Sequence, residues 1–192
     1  MGVLEPGVIN VRTAGRFGAA LVAAMVIAGA PASGQSVPAP GLTAAFLFNF
    51  AQFVEWPAQA LAPGAPLVLC VVNDTGVADA LEQTIKGRTV DGHGLAVRHI
   101  KAGAPLPACH VLYLAGPDLK RALEALVSAK GLLVLTVSDA ARFARTGGMV
   151  ELVLDNGKMR FIVNVDALQR ADVHLSSRVL VLAKIVRDAD IP

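Results

Sequence analysis

Apolar residues in this chain fall into short blocks set apart by glycine, proline and acidic turns, and the blocks follow two different periods. Residues 42–57, LTAAFLFNFAQFVEWP, are spaced as a helix. Leu42, Phe46, Phe50 and Phe53 share one side, Leu47, Ala51 and Val54 an adjoining one, and Asn49, Gln52 and Glu55 remain for water. Such a helix must be covered over most of its surface. Trp56-Pro57 ends it, because proline cannot continue the backbone ladder and biases the residue before it toward an extended conformation. After a Pro/Gly-rich loop at 62–66, the continuous apolar run LVLCVV at 67–72 reads as a buried strand. Asn73, Asp74 and Gly76 break that run. A helix over 77–85 is then expected, followed by a loop or weak edge strand at 86–94 and strands at 95–100 and 111–114. Pro117-Asp118 opens a helix running to 129, and 132–137 returns to strand. This alternation of strand and helix implies parallel pairing. Ser138-Asp139 is expected to cap a short helix containing Phe143, which Gly147-Gly148 ends.

The character changes beyond residue 148. Apolar runs at 149–154 and 159–165 flank Asp155-Asn156-Gly157-Lys158, and Asn-Gly between such runs is the strongest short hairpin signal. A two-residue turn at Asn156-Gly157 pairs Leu154 with Met159, Leu152 with Phe161 and Val150 with Val163, making those six the core face. The same register puts Glu151, Arg160 and Asn164 on the opposite face, with Glu151 and Arg160 diagonal and close enough to interact. Ser176 or Ser177 caps a final helix whose Val179, Leu182, Ala183 and Val186 form an apolar stripe. The predicted architecture is a single α/β domain. Its mixed, mostly parallel sheet is flanked by helices and carries a C-terminal β-hairpin and a terminal helix.

Composition sharpens the boundaries. Arg12 and Arg16, the apolar run 17–28 and the small residues at 28–32 make residues 1–34 a signal peptide, 35–41 a short linker and 42–188 the folded domain. The apolar run is shorter than the ~20 residues that a spanning helix needs. The whole chain carries 17 Lys+Arg and 15 Asp+Glu in 192 residues. Without residues 1–34 it is nearly neutral, and its basic residues are scattered, which weighs against nucleic acid as a partner.

Nucleophilic or metal chemistry finds little support. GxSxG, SxxK and HExxH are absent, and His93, His99, His110 and His174 have no ligand spacing in common. His110 reads as a hydrogen-bonded histidine at a strand edge, Ser138-Asp139 as a helix start and Gly92-His93-Gly94 as a turn. Cys70 and Cys109 both fall in the exported part and at strand positions, where an oxidising compartment makes a disulfide the simplest reading. Two free thiols, or a metal pair with His110, are the alternatives. No metal site and no cofactor is expected. Nine residues of the chain are aromatic and five of them lie in 42–57, so that segment is also a candidate for contact with other proteins.

In their order and spacing, FLFNFAQFVEWP, LVLCVVND, ACHVLYLAG, LLVLTVSDAARFARTGGMVELV and KMRFIVNVDALQRADVHLSSRVLVLAKIV resemble the successive landmarks of the YfiR family of exported proteins. The resemblance runs from about residue 42 to 186. It implies a periplasmic, often dimeric α/β protein that represses an inner-membrane diguanylate cyclase by binding its periplasmic portion, and so lowers cyclic-di-GMP signalling and biofilm formation. Sensor kinases carrying related domains and an outer-membrane lipoprotein are further partners that it implies. No catalytic residues come with it, so the chain is not expected to be an enzyme. The family's cysteine pair matches Cys70 and Cys109. A second pair that some relatives carry near GGM is absent here, which removes the basis for redox control through a second bridge.

Phe46, Asn49, Phe53 and Trp56 of the first helix, with Glu151 and Arg160 of the hairpin, are the residues expected to contribute to partner surfaces; Phe50 is expected in the core. The rival reading is a periplasmic small-molecule sensor with a pocket at the strand ends near Asn73, Asp74 and Ser138, where open α/β sheets bind ligands.

Overall fold

The computed structural model describes residues 39–188 apart from Ala58, so the expected signal peptide and residues 35–38 of the expected linker lie outside the described residues, while residues 40 and 41 of that linker already belong to the first helix. The first helix, α1 (Pro40–Phe53), starts with proline in its first turn, where a missing N–H costs nothing. It gives way to β1 (Val54–Glu55) two residues before Pro57. Next come β2 (Leu67–Val72), α2 (Thr75–Ile85), β3 (Thr89–Val90), β4 (His93–Ile100), β5 (Val111–Leu114), α3 (Leu119–Ala129) and β6 (Leu135–Ser138). A single 3-10 turn, Ala144–Thr146, stands where the short helix was expected. The chain closes with β7 (Val150–Asp155), β8 (Lys158–Asn164), α4 (Val165–Arg170), β9 (His174–Leu175), α5 (Ser177–Leu180) and β10 (Lys184–Val186). Among the described residues no helix is long and apolar enough to cross a membrane.

Eight strands share one sheet in the order β10-β8-β7-β6-β5-β2-β4-β3, while β1 and β9 form a separate two-stranded ribbon. Within this sheet pairing is parallel from β4 through β2, β5 and β6 to β7 and again between β8 and β10, and only β7–β8 and β3–β4 are antiparallel. The chain leaves β2 toward β4 and then crosses back to β5, so the strand order reverses between β2 and β5. Asp74 and Asp118 cap α2 and α3 by accepting from the backbone N–H of Val77 and Arg121.

Alternation along the strands divides the interior in two. Leu67, Leu69 and Val71 of β2, with Val111 and Tyr113 of β5, join α1 and α2 in one cluster; Val68, Cys70, Leu112 and Leu114 join α3 and Phe143 in the other. Both central strands are therefore buried on both faces, which explains their unbroken apolar sequences.

The hairpin register is the expected one: Val150 faces Val163, Leu152 faces Phe161 and Leu154 faces Met159. Asn156 and Gly157 both have positive φ, 49° and 74°, as a two-residue hairpin turn of this twist requires. Gly147 ends the 3-10 turn at φ 104°, and a Cβ on Gly148 would fall inside the Phe143 ring. Those two constraints account for the glycine pair.

Cys70 and Cys109 form a disulfide with their Cα atoms 5.9 Å apart, bridging 39 positions of sequence. Closing a loop of that size stabilises by about 4 kcal/mol in the chain-entropy model. Cys109 sits ahead of β5, not within it.

The terminal helix is present but shorter than its apolar stripe implied. α5 stops at Leu180, and Lys184–Val186 instead pair in parallel with Ile162–Asn164 of β8. Of the expected stripe, Val179 and Val186 are buried, whereas Leu182 is 74% exposed in the turn between. An unpaired edge of β8 offers backbone hydrogen bonds and burial to a Lys-Ile-Val segment rich in strand-forming residues, and this outweighs one more helical turn.

Candidate protein-protein interface

The aromatic side chains of α1 begin as core packing. Phe46 sits edge-on to Phe50 and to Phe161, with ring centres 6.2 and 6.0 Å away, and Phe50 meets Phe161 at 5.3 Å. Phe50 is fully buried, as expected; Phe46 and Phe53 are half-buried at the edge of the same cluster, and Asn49, Gln52 and Glu55 are exposed. Leu42 is also exposed, against the expectation that it packs inward. The outer flank of α1 thus presents Leu42, Asn49 and Gln52 together with the rims of Phe46 and Phe53, which is a mixed apolar and polar strip suited to contact.

Trp56 lies just past this helix. Its ring stands edge-on to His110 at 5.4 Å, and its Nε1 is shielded from solvent without an acceptor among the described residues. His110 is buried, and its ring is fixed at both ends: Nδ1 accepts from the backbone N–H of Val68 at 2.9 Å and Nε2 donates to the carbonyl of Ala60 at 2.9 Å. Nδ1 acting as acceptor assigns the neutral tautomer with the proton on Nε2. Burial pushes its pKa down, and the Val68 N–H, which can donate only to an unprotonated Nδ1, favours the same neutral form; the Ala60 carbonyl opposes them only in part. The imidazole therefore serves as a neutral cross-link from the loop after Trp56 to β2. The ribbon β1–β9 ties the same region to the C-terminal part, with Val54 opposite Leu175, Glu55 opposite His174, and the N–H of Ser176 donating to the carbonyl of Phe53. Two-residue strands such as these leave no periodic trace in the sequence.

The expected pairing of Glu151 with Arg160 does not form. Glu151 faces Ile162 across the hairpin, is 5% exposed, and accepts from the backbone N–H of Arg142 at 3.0 Å and of Ala144 at 3.1 Å. Its carboxylate caps the loop that folds over this side of the sheet, because β7 is bordered by β6 as well as β8. Arg160 turns instead to Asp155 at 3.1 Å in the open. Glu151 has almost no surface to offer a partner, and Arg160 lies across the sheet from α1, since Phe161 next to it packs on Phe46. The six expected residues consequently do not make one surface: Phe46, Asn49 and Phe53 lie along α1, Trp56 follows it against His110, Glu151 is buried, and Arg160 stands on the other side of the sheet.

Of the strand-end residues expected near a pocket, Asn73 lines a cavity, whereas Ser138 and Asp74 are committed to other contacts. Ser138 is fully buried, donating to the carbonyl of Leu114 and accepting from the N–H of Ala140, and Asp74 is committed to capping α2. Asp139 accepts from the N–H of Gly116 at 2.8 Å and meets the hydroxyl of Tyr113, which also reaches Thr43 of α1. Burial raises the pKa of both Asp139 and Tyr113. This network fastens α1 to the sheet. Among the described residues no cluster of His, Cys, Asp and Glu is placed to hold a metal ion.

A scan against protein-family models matches residues 41–184 to the family described as YfiR/HmsC-like. The match begins with the aromatic helix, takes in the disulfide, the strand-order reversal and the hairpin, and ends at the start of β10, so it covers well over half of the chain. This chain belongs to the YfiR/HmsC-like family.

Proposed function

We propose that the chain is a periplasmic regulatory protein, exported by a cleaved signal peptide, that lowers cyclic-di-GMP signalling by binding the periplasmic portion of an inner-membrane diguanylate cyclase. The observation that carries this reading is the YfiR/HmsC-like match over residues 41–184. The physical means is differential affinity. A partner that binds one conformation of the receptor's periplasmic domain better than another shifts the receptor toward it, and can shift it by no more than the difference in binding free energy. The action is binding, with no substrate transformed.

The contact surface in this reading is the outer flank of α1, with Asn49, the rims of Phe46 and Phe53, and Trp56. Half-buried aromatic side chains suit such a role, because their inner part is already ordered by the core and little rotamer entropy remains to be lost. A homodimer, and capture by an outer-membrane lipoprotein, belong to the same reading and would compete for or extend this strip. Deleting the gene and measuring cyclic-di-GMP is the direct test. A rise supports repression, and an unchanged level overturns it. Capture of the receptor by folded Trp56→Ala and Phe53→Ala variants tests the surface, and undiminished capture by both removes it from the interface.

A further inference from the structure

Beside the point where the strand order reverses, a cavity of about 250 Å³ opens over the carboxyl ends of β2, β4 and β5. Its floor is apolar, made by Val72, Ile100 and Leu114, with Leu106 at the side. Its far wall is α3, which turns two alanines, Ala122 and Ala125, toward it. A leucine at either position would occupy much of the space. Protein interiors keep few voids larger than a water molecule, so this opening owes its existence to small side chains placed at the crevice where open α/β sheets take ligands.

The rim carries charged side chains. Lys101, the first residue past β4, is exposed and has no carboxylate partner among the described residues. Arg121 faces it from the first turn of α3, where Asp118 holds its Nε at 3.2 Å and so leaves the terminal N–H groups of the guanidinium for another acceptor. Glu124 is the one carboxylate among the lining residues and Asp118 lies against Arg121, so the four charges balance; the donors left over at the edge, the Lys101 ammonium and the terminal N–H groups of Arg121, are what suits an anion above the apolar base.

We propose that this cavity binds a small organic carboxylate whose apolar body is a single ring or a short alkyl chain. The carboxylate lies between Lys101 and Arg121 and the body rests on Val72, Ile100 and Leu114. Size sets the upper limit: an apolar cavity of ~150 Å³ holds benzene, and drug-sized ligands need roughly 300–1,000 Å³. The charge arrangement sets the head group, since a guanidinium oriented through Nε offers paired donors that suit a carboxylate and repel an ammonium. This proposal does not rest on the receptor reading; a ligand here would be a second input to the same molecule.

The test is a titration of the ¹⁵N-labelled protein with phenylacetate and hexanoate, with 2-phenylethylammonium as the control of equal body and opposite charge. Saturable amide shifts confined to the ends of β2, β4 and β5 and to the first turns of α3 are expected with the two carboxylates and not with the ammonium. Lys101→Ala and Arg121→Ala, both at exposed positions that leave the fold alone, should each weaken binding about tenfold, and Ala125→Leu should abolish it. Silence toward both carboxylates, equal binding of the ammonium, shifts elsewhere, or full affinity in the Lys101→Ala/Arg121→Ala double variant would each overturn the assignment.

Discussion

The two faces of the hairpin β7–β8 are built from alternate residues of the same fifteen-residue stretch, 150–164, yet they are held by different physics. On one face Val150, Leu152, Phe161 and Val163 pack against α1 with the Phe46 and Phe50 rings, and nothing there needs a hydrogen bond. On the other, Glu151 and Asn164 are buried among backbone groups, 5% and 0% exposed. Asn164 donates from Nδ2 to the carbonyl of Ala144 and to Asp188, and accepts at Oδ1 from the N–H of Ala167, which caps α4. On β6 alongside, Thr136 and Ser138 bond to the backbone in the same way. One side is covered by apolar contact, which tolerates adjustment; the other is covered by a loop whose amides need acceptors in fixed places. A polar residue facing the sheet's second side is therefore structural wherever a loop lies over it.

Cutting into the apolar side should have the largest effect. Phe161→Ala removes the ring that both Phe46 and Phe50 contact, and a loss of about 3–5 kcal/mol is expected in urea unfolding. Phe161→Leu keeps most of the volume and should lose well under half of that. A small effect of Phe161→Ala would mean that α1 is held by its ribbon to β9 and not by its rings.

On the polar side, Glu151→Ala leaves the amides of Arg142 and Ala144 without their acceptor, for an expected loss of about 2–3 kcal/mol. Glu151→Gln, which retains one acceptor oxygen, should lose roughly half as much. Hydrogen exchange at Ala144 should accelerate in both. Unchanged exchange and stability would return Glu151 to the partner-facing role first expected of it, and the contrast between the faces would disappear.

That contrast also marks what was legible in the sequence. Register was legible, because a period of two and an Asn-Gly turn leave one pairing for 150–163. Strands buried on both faces were legible as unbroken apolar runs, and Asp118 as a cap from its position before an apolar helix. Burial of Glu151 was not legible, because the amides that it satisfies sit seven and nine residues away in a loop of no repeating pattern. The α5–β10 boundary was lost for a related reason: Val179, Leu182, Ala183 and Val186 have helical spacing, and only the vacant edge of β8 decides against it. The two-residue strands β1 and β9 and the six-residue α4 are too short to carry a period. The cavity beside the strand-order reversal depends on Lys101 just past β4 and Arg121 in the first turn of α3 meeting at one rim, which no local pattern announces. What one segment dictates about itself was readable, and what a distant segment lays over it was not.

Acid should separate the two sides further. His110, on the α1 side against Trp56, has its pKa lowered by burial, so below the ordinary value of 6.5 the unfolded chain takes up a proton that the folded chain resists. Its contribution is complete above that value, and stability should decline as pH falls below it. His110→Gln should lower stability at neutral pH while flattening that decline, and Arg160→Ala should leave the decline as it is. A wild-type profile level from pH 7 to the folded-state pKa would show that the His110 ring is not held neutral by its surroundings.

Arg160→Ala is expected to have the smallest effect. The guanidinium meets Asp155 in the open, 64% exposed against 50%, and exposed pairs of this kind contribute about 0–1 kcal/mol. Unfolding free energies from urea titration of the variant and of Asp155→Ala should lie within about 0.5 kcal/mol of wild type. Because the substitution leaves the fold undisturbed, it isolates any role of the outer hairpin face in binding. Receptor capture at wild-type strength confines the partner surface to the flank of α1. Capture weakened in Arg160→Ala and equally in Trp56→Ala would mean that the receptor reaches around the sheet edge to both faces, a grip that the separation of these residues permits only for a partner that wraps the hairpin.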